Sequence, residues 1–456
     1  MSFSARLIGP VAVLLSVFGT PCLAESLNDA LGAVYQRHPR LAAERAATRA
    51  TDENVAVAAS GWRPEVTLSA GPSRVFSKYT DTTSGVVSSV TTTRQGGLGI
   101  SQNVYDFGRT AEAVRGADAR VLAARAVLVA TEGEVLLEGA QAYLEVAQGR
   151  QVVRLNRNSL ALLRRQLDSA QANFARRLAT RTDVAQAEAR VADAEAALRA
   201  AELSLRSAEM RFEELVGAKP GTVSFPTAMP ALPATREDAV TAATAAPAVE
   251  LARHRVTAAA ADVEAARAEL LPKLDLVASD TETWNYTDRI PTKRDRAIGL
   301  GLTVPLYQKG AEYAKIRARL EALGEQRKRL ADAERLARQN ADEAWNALLT
   351  ARAGMESYDA SVRANETAYT GAQAEQQRLG TRSVLDVLNA EQELLRARSN
   401  RVSAERDAIL ASLRVLASIG RLTASHLALD VTPYDPKPHY EAVRDRWFGL
   451  DVDDGK

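Results

Sequence analysis

The sequence has 456 residues, 46% hydrophobic but only 5% aromatic, so alanine and small aliphatic side chains carry much of its apolar content. Its 58 Lys and Arg oppose 57 Asp and Glu, and this formal charge of +1 excludes nucleic acid as the main partner, which would need a net-basic face. No stretch of 18 or more apolar residues follows residue 24, so no α-helix is expected to span a membrane.

Residues 1–24 read as a secretory signal peptide. Arg6 gives a positive start, Val11 to Phe18 an apolar core, and Cys22-Leu23-Ala24 a small-x-small end, with cleavage expected after Ala24. Pro21 directly before Cys22 fits a lipoprotein anchor poorly. The only cysteine lies inside this segment, so the exported chain must be stabilised by packing or oligomerisation rather than disulfides.

Proline placement maps the rest of the chain. No proline occurs from 73 to 219 or from 306 to 432, and proline breaks helix interiors at about 3 kcal/mol, so long helices are allowed only in those windows. The spacing predicts strands over 65–76 and 95–106, where Val66, Leu68 and Ala70, then Leu98, Ile100 and Val104, alternate with polar or small residues. A polar hairpin tip is expected from Ser77 to Thr93. A long helix is predicted over 108–177, then a turn at 178–183 and a second helix over 183–216. In that second helix Val184, Val191, Leu198, Leu205 and Phe212 recur every seven residues, with Ala187, Ala194, Ala201, Ala208 and Leu215 as the companion row. Two such rows in register predict a close-packed supercoil.

The same pattern returns about 200 residues later. Pro39 and Pro64 match Pro247 and Pro272, Leu98-Gly99-Ile100 matches Leu300-Gly301-Leu302, and the alanine row returns as Ala390, Ala397, Ala404 and Ala411. The chain is therefore a duplication. The first repeat covers 25–217 and a proline-rich linker covers 218–236. The second repeat, 237–422, carries strands over 273–284 and 295–307, with a tip from Asn285 to Lys293. It then has a long helix over 310–378, a turn at 379–384 and a helix over 384–419. The tail, 423–456, contains Pro433, Pro436 and Pro438 and reads as extended and partly disordered. Four strands with one apolar face suit either a soluble sheet or part of a membrane barrel; four alone cannot close a barrel, so a membrane role requires several chains to share one.

Chemistry for catalysis is missing from the pattern. The four histidines, His38, His254, His426 and His439, are scattered, and Gly96-Gly97-Leu98-Gly99 opens a strand rather than a phosphate-cradling helix. Neither an enzyme nor a cofactor is implied. The two helix–turn–helix tips remain. Thr182 and Ser383 are candidate caps, and Asp183 and Asp386 are first-turn acids that the helix dipole favours. The functional alternative needs symmetry: several copies around an axis would make Asp386 a carboxylate ring, with Arg382 reaching acids on a neighbouring tip.

These residues resemble the TolC family of outer-membrane channel-tunnels. The resemblance rests on the duplication, the strand endings Val104-Tyr105-Asp106-Phe107-Gly108 and Val304-Pro305-Leu306-Tyr307-Gln308-Lys309-Gly310, and the tip Gly380-Thr381-Arg382-Ser383-Val384-Leu385-Asp386-Val387-Leu388. It implies a mainly α fold with a membrane β-barrel portion: a homotrimer with a twelve-stranded barrel in the outer membrane and an α-helical periplasmic tunnel. It further implies Asp386 and Asn389 at the entrance constriction, Arg382, Thr182 and Asp183 as a tip latch, and Gly380 and Thr381 in the tip turn. Two departures stand out. The family's second constriction acid falls at Asn389, and a tip tyrosine falls near Gln377.

The tail segments Tyr434-Asp435-Pro436-Lys437-Pro438 and Val443 to Gly449 are similar to the branch serving type I protein secretion. The expected function is a passive exit duct in a tripartite export system. Its expected partners are a second and third copy of the chain, outer-membrane lipid, a periplasmic adaptor and an inner-membrane transporter, an ATP-driven exporter being favoured over a proton-driven pump. Small-molecule efflux is the first alternative. A pore-less periplasmic coiled-coil scaffold is the alternative of a different class.

Overall fold

The computed structural model describes residues 26–83, 85–227, 229–287, 290–376 and 382–451. The signal segment and Gln377, Gly380 and Thr381 of the second tip lie outside them. The first repeat folds as helices α1 (Leu27–Arg37) and α2 (Pro39–Ala59), strands β1 (Glu65–Asp81) and β2 (Gly85–Tyr105), and helices α3 (Arg109–Ala175) and α4 (Arg181–Val216). The second gives α5 (Arg236–Ala242), α6 (Pro247–Ala268), β3 (Lys273–Trp284), β4 (Thr292–Thr303), α7 (Ala311–Ala374) and α8 (Val384–Ser418), followed by α9 (Lys437–Arg444). Prolines open α2 and α6, where the missing N–H costs nothing.

Corresponding corners use the same backbone. Phe107 and Gly108 have φ of 55° and 89°, and Lys309 and Gly310 have 61° and 80°, so two successive left-handed residues turn each strand into its long helix. Asp106 seals the first corner: its Oδ2 accepts hydrogen bonds from the Thr110 amide (2.9 Å), the Thr110 hydroxyl and Asn103 Nδ2 (2.9 Å). Burial pushes the Asp106 carboxyl up, but these donors outweigh it and hold the group below its ordinary value.

Contacts divide the chain into two compact units, and α3 and α7 each contribute to both. One comprises the chain up to Arg37, Glu138–Met229 and Ala353–Leu410. Its core includes Leu31, Val34, Tyr143, Phe212 and Val216, all essentially buried. Gly139 lets α1 approach closely, since a Cβ there would lie 3.0 Å from Val34. The Tyr143 hydroxyl donates to the Ser224 carbonyl (3.0 Å), and Arg150 donates to the carbonyls of Pro220 (3.1 Å) and Gly221, which pins the inter-repeat linker.

The other unit comprises His38–Leu137, Pro230–Arg352 and Ala411–Lys456. Trp345 and Leu348 pack with Ala239, Ala411 and Val415 in its core. The tail is not the extended segment that its prolines suggest. Pro438 sits in the first turn of α9, where proline is tolerated, and α9 docks on α2 and α3. His439 Nδ1 meets the fully buried Asp52 Oδ2 at 2.9 Å, and the Tyr440 hydroxyl donates to Asp118 (2.7 Å). Val443 is buried, while Arg63 donates to the Arg446 carbonyl (2.8 Å) and stacks over Trp447.

The same unit holds a four-stranded antiparallel sheet in the order β1-β2-β3-β4. Its first hairpin is longer than the polar sequence around Ser77–Thr93 suggests: β1 and β2 stay paired to Asp81↔Gly85. Serine, threonine and valine occur on both faces there, which blurs the period-two signal without preventing pairing. Conversely β4 stops at Thr303, because Pro305 lacks an amide hydrogen for the ladder and restricts Val304 before it.

Directly opposed residues share a face of a sheet. One face carries Val66, Ile100, Ala278 and Ile298 in a single row, flanked by Leu68 with Leu98 and by Leu276 with Leu300. Several of these are conspicuously open, with Leu68 83% and Ile298 78% exposed. The other face carries Thr67, Gly99, Ser279 and Ala297, and Ser69, Gly97 and Thr281.

Candidate functional site

Both helical turns fall in the first of the two units, so their side chains can be compared directly. In the first turn, α3 ends at Ala175 and Arg177 adopts φ of 62° before α4 begins. Thr180 caps α4 in a reciprocal box: its hydroxyl accepts from the Asp183 amide (3.2 Å), while Asp183 Oδ2 accepts from the Thr180 amide (2.8 Å). The cap is Thr180, two residues before the Thr182 expected from the sequence, and Thr182 is exposed in the first turn of α4. The hydrogen bonds from Thr180 hold the Asp183 carboxyl below its ordinary value.

The second turn repeats this arrangement. Asp386 Oδ2 accepts from the Ser383 amide (3.0 Å) and hydroxyl (2.9 Å), and the Asp386 amide donates to Ser383 Oγ (3.2 Å). Bonds from Ser383, then the charge of Arg382, hold Asp386 below the usual carboxylate range and keep it ionised. Arg382 itself donates through Nε to Glu375 (2.9 Å), so within one chain it ties its own turn to the end of α7. Among the described residues it makes no ion pair with Asp183.

Asn389 is engaged across the repeats. Arg190 of α4 donates to Asn389 Oδ1 (3.0 Å) and to Gln392 Oε1 (2.6 Å) of α8. Nothing in the sequence singles out Arg190, Gln392 or Glu375: the heptad rows draw attention to apolar positions, and a polar clasp between distant helices leaves no local trace.

Glu391, equally silent in the sequence, is only 7% exposed and lines two small cavities of about 110 and 250 Å³ among α3, α4, α7 and α8. Burial raises its pKa above the ordinary value, and the Ser159 hydroxyl, then the charges of Arg190 and Arg398, offset part of that rise. A carboxyl raised in the folded state stabilises the fold fully below its unfolded pKa and loses that contribution as pH rises through the folded value. Both arginines keep other partners, Asn389 and Gln392 for Arg190 and Glu366 for Arg398. Glu391→Gln is therefore expected to raise the thermal midpoint at pH 8 and to match the parent near pH 4. A lower midpoint at pH 8 would show that the ionised carboxylate is needed.

Among the described residues no helix is long and apolar enough to cross a membrane. The sequence matches the family described as "Outer membrane efflux protein" over residues 30–218 and 240–421, one segment in each repeat. The outer membrane efflux protein BepC of Brucella suis is 36% identical, the alignment covering 98% of this chain and 97% of BepC. The alkaline protease secretion protein AprF of Pseudomonas aeruginosa is 26% identical over 65% of this chain and 63% of its own. Among solved structures, the outer membrane protein VceC of Vibrio cholerae superposes with a TM-score of 0.73 at 22% identity, covering 86% of this chain and 96% of VceC. A duplicated chain with paired strand hairpins, repeated corners and two capped helical tips thus belongs to the outer membrane efflux protein family, the TolC-type channel-tunnels: an outer-membrane protein with a periplasmic helical tunnel, and not an enzyme.

Proposed function

We propose that three copies of this chain close a twelve-stranded barrel and that the trimer is the passive exit duct of a type I protein secretion apparatus. The observation that carries this reading is the two-faced sheet with β1 and β4 as its edges. Four strands cannot close on themselves, and two exposed edges of one sheet can pair with those of further copies.

The apolar band also runs obliquely. On β1 it is centred near Leu68, and on β4 near Leu300, which lies two rows away in the registered ladder. Two residue pairs, roughly 13 Å, over three strand spacings, roughly 14 Å, give about 40°, as expected when tilted strands carry a level band through a bilayer. The opposite face, small and polar, suits a water-filled interior.

Export would be driven by an inner-membrane transporter through a periplasmic adaptor at the helical tips, with no cofactor in the duct. In this reading Asp386 supplies the carboxylate ring of the entrance. Asn389, clasped by Arg190, makes that ring less negative than a second acid would. Arg382 with Thr182 and Asp183 forms the latch, Arg382 exchanging Glu375 for the first-repeat tip as the helices coil together. Arg382→Ser is expected to raise resting single-channel conductance severalfold, and Asp386→Asn to weaken block by multivalent cations added from the tip side. Unchanged conductance in the first variant discards the latch, and undiminished block in the second discards the ring.

The similarity of the tail to the secretion branch and the relationship to AprF favour protein cargo; the relationship to BepC favours small-molecule efflux as the second reading. The two are separated in a host lacking its own duct. Restored secretion of an ATP-exported protein is the expected result, and restored drug resistance without secretion would select the second reading.

A further inference from the structure

Charge is divided unequally between the two faces of the sheet. Towards the hairpin tips, the face that bears the apolar band carries Arg74, Lys78, Arg94, Arg294 and Arg296 against two acids, Asp280 and Glu282. The other face holds both of its lysines in short pairs, Lys273 with Asp275 (2.9 Å) and Lys293 with Asp295 (2.8 Å), and carries no arginine; serine, threonine and glycine make up most of the rest, with Val75, Val277 and Glu65 among them. General polarity of a hairpin tip would not separate the cations in this way.

On β3 and β4 the cationic rows begin where the apolar band ends, while on β1 and β2 Phe76, Val86 and Val90 lie on the same face beyond Arg74 and Arg94. Arg296 and Asp280 share a row with Leu98 and Leu68; Arg294 and Glu282 lie one row nearer the tips, and Arg94 and Trp284 the row after that. Two guanidinium groups converge on one carboxylate: Arg294 donates to Asp280 through Nε (2.8 Å) and Nη2 (2.5 Å), and Arg296 Nε lies 3.3 Å from the same group. Arg74 stacks on Phe76, and neither it nor Arg94 pairs with a carboxylate among the described residues. Trp284, 42% exposed, stands between these cations as an aromatic of the kind that settles at a membrane interface.

We infer that this patch binds the phosphate groups of a phosphorylated glycolipid of the outer leaflet, and the inference rests on the barrel reading above. Both long helices leave the sheet at the end opposite the hairpin tips, at Arg109 and Ala311, so the tips and the patch face away from the periplasm. Acyl chains would cover the apolar band while the arginine heads reach up to the headgroup layer. Guanidinium groups are suited to phosphate because their paired N–H groups match two of its oxygens. A diglucosamine lipid bearing two phosphates offers anionic groups spaced across several strands, which a single phospholipid headgroup does not.

The test uses the full chain, purified in detergent, with binding read by native mass spectrometry and channel formation read in planar bilayers. Bis-phosphorylated lipid A, its dephosphorylated form and phosphatidylglycerol are the probes. Retention of the phosphorylated lipid over both others is expected, with about tenfold weaker retention in Arg74→Gln/Arg94→Gln, which leaves the Asp280 pairs intact. Equal retention of phosphatidylglycerol overturns the assignment to the glycolipid. Unchanged lipid A binding in a double variant that still conducts overturns the patch alone. Failure of the unmodified protein to conduct overturns the barrel beneath both.

Discussion

Leu300→Arg is expected to abolish insertion of the chain into lipid vesicles, whereas Gly301→Arg, one residue on, leaves it intact. Leu300 is 67% exposed and pairs with Leu276 in the middle of the apolar band. A charged arginine facing lipid at mid-depth costs about 2–4 kcal/mol, and a trimer incurs that cost three times. Gly301 points to the opposite face, opposed to Asp275, and the nearest atom to an added Cβ there is the Asp275 carbonyl oxygen at 3.9 Å. An arginine at 301 would therefore extend into the polar interior beside a carboxylate. Flotation of refolded protein with vesicles separates the two. Equal loss in both variants would mean that the faces are not divided between lipid and water.

The second large effect concerns the ends of α4 and α8. Gly217 and Gly420 occupy equivalent positions and have nearly the same left-handed φ, 76° and 72°. At Gly420 the chain closes in a C-cap in which the Arg421 amide donates to the Leu416 carbonyl (2.8 Å). Their surroundings differ. A Cβ at Gly420 would collide with the Pro247 ring at the start of α6, whereas at Gly217 the nearest atom, Arg37 Cδ, is 3.7 Å away. A β-branched residue in this backbone costs about 1–3 kcal/mol at either site, and the collision adds a further 1–3 kcal/mol at Gly420. Gly420→Val is thus expected to lose roughly 3 kcal/mol or more and Gly217→Val about half as much, measured by urea unfolding in detergent. Equal losses would show that α6 gives way and that the contact with Pro247 is not constraining.

Much of the architecture is written locally. The prolines that open α2 and α6, the glycines that end α4 and α8, and the paired left-handed corners before α3 and α7 all act on their own backbone, so each leaves a signature that recurs in both repeats. Period-two alternation reveals the strands only within the apolar band, where one face differs from the other. Beyond it, Thr91, Thr92 and Thr93 continue the ladder without any contrast to betray it. The tail misleads for a related reason. Its three prolines are visible in the sequence, but Asp52 and Asp118, which hold His439 and Tyr440, lie more than 300 residues away.

At the tips, the capping roles open to Asp183 and Asp386 are local, and both acids receive the hydrogen bonds such caps require. The clasp from Arg190 to Asn389 joins residues about 200 positions apart, and no neighbour in sequence announces it. The pairing of Arg382 with Glu375 spans seven residues, a spacing outside the three- and four-residue steps by which helix pairs are ordinarily sought.

The most direct measurement is single-channel conductance of purified, signal-processed protein added to one side of a planar bilayer. Long-lived current steps of uniform size are the result expected of a trimeric duct whose three sheets close one barrel. Protein that is water-soluble without detergent and silent in the bilayer would contradict it, and would assign the four strands to a periplasmic scaffold.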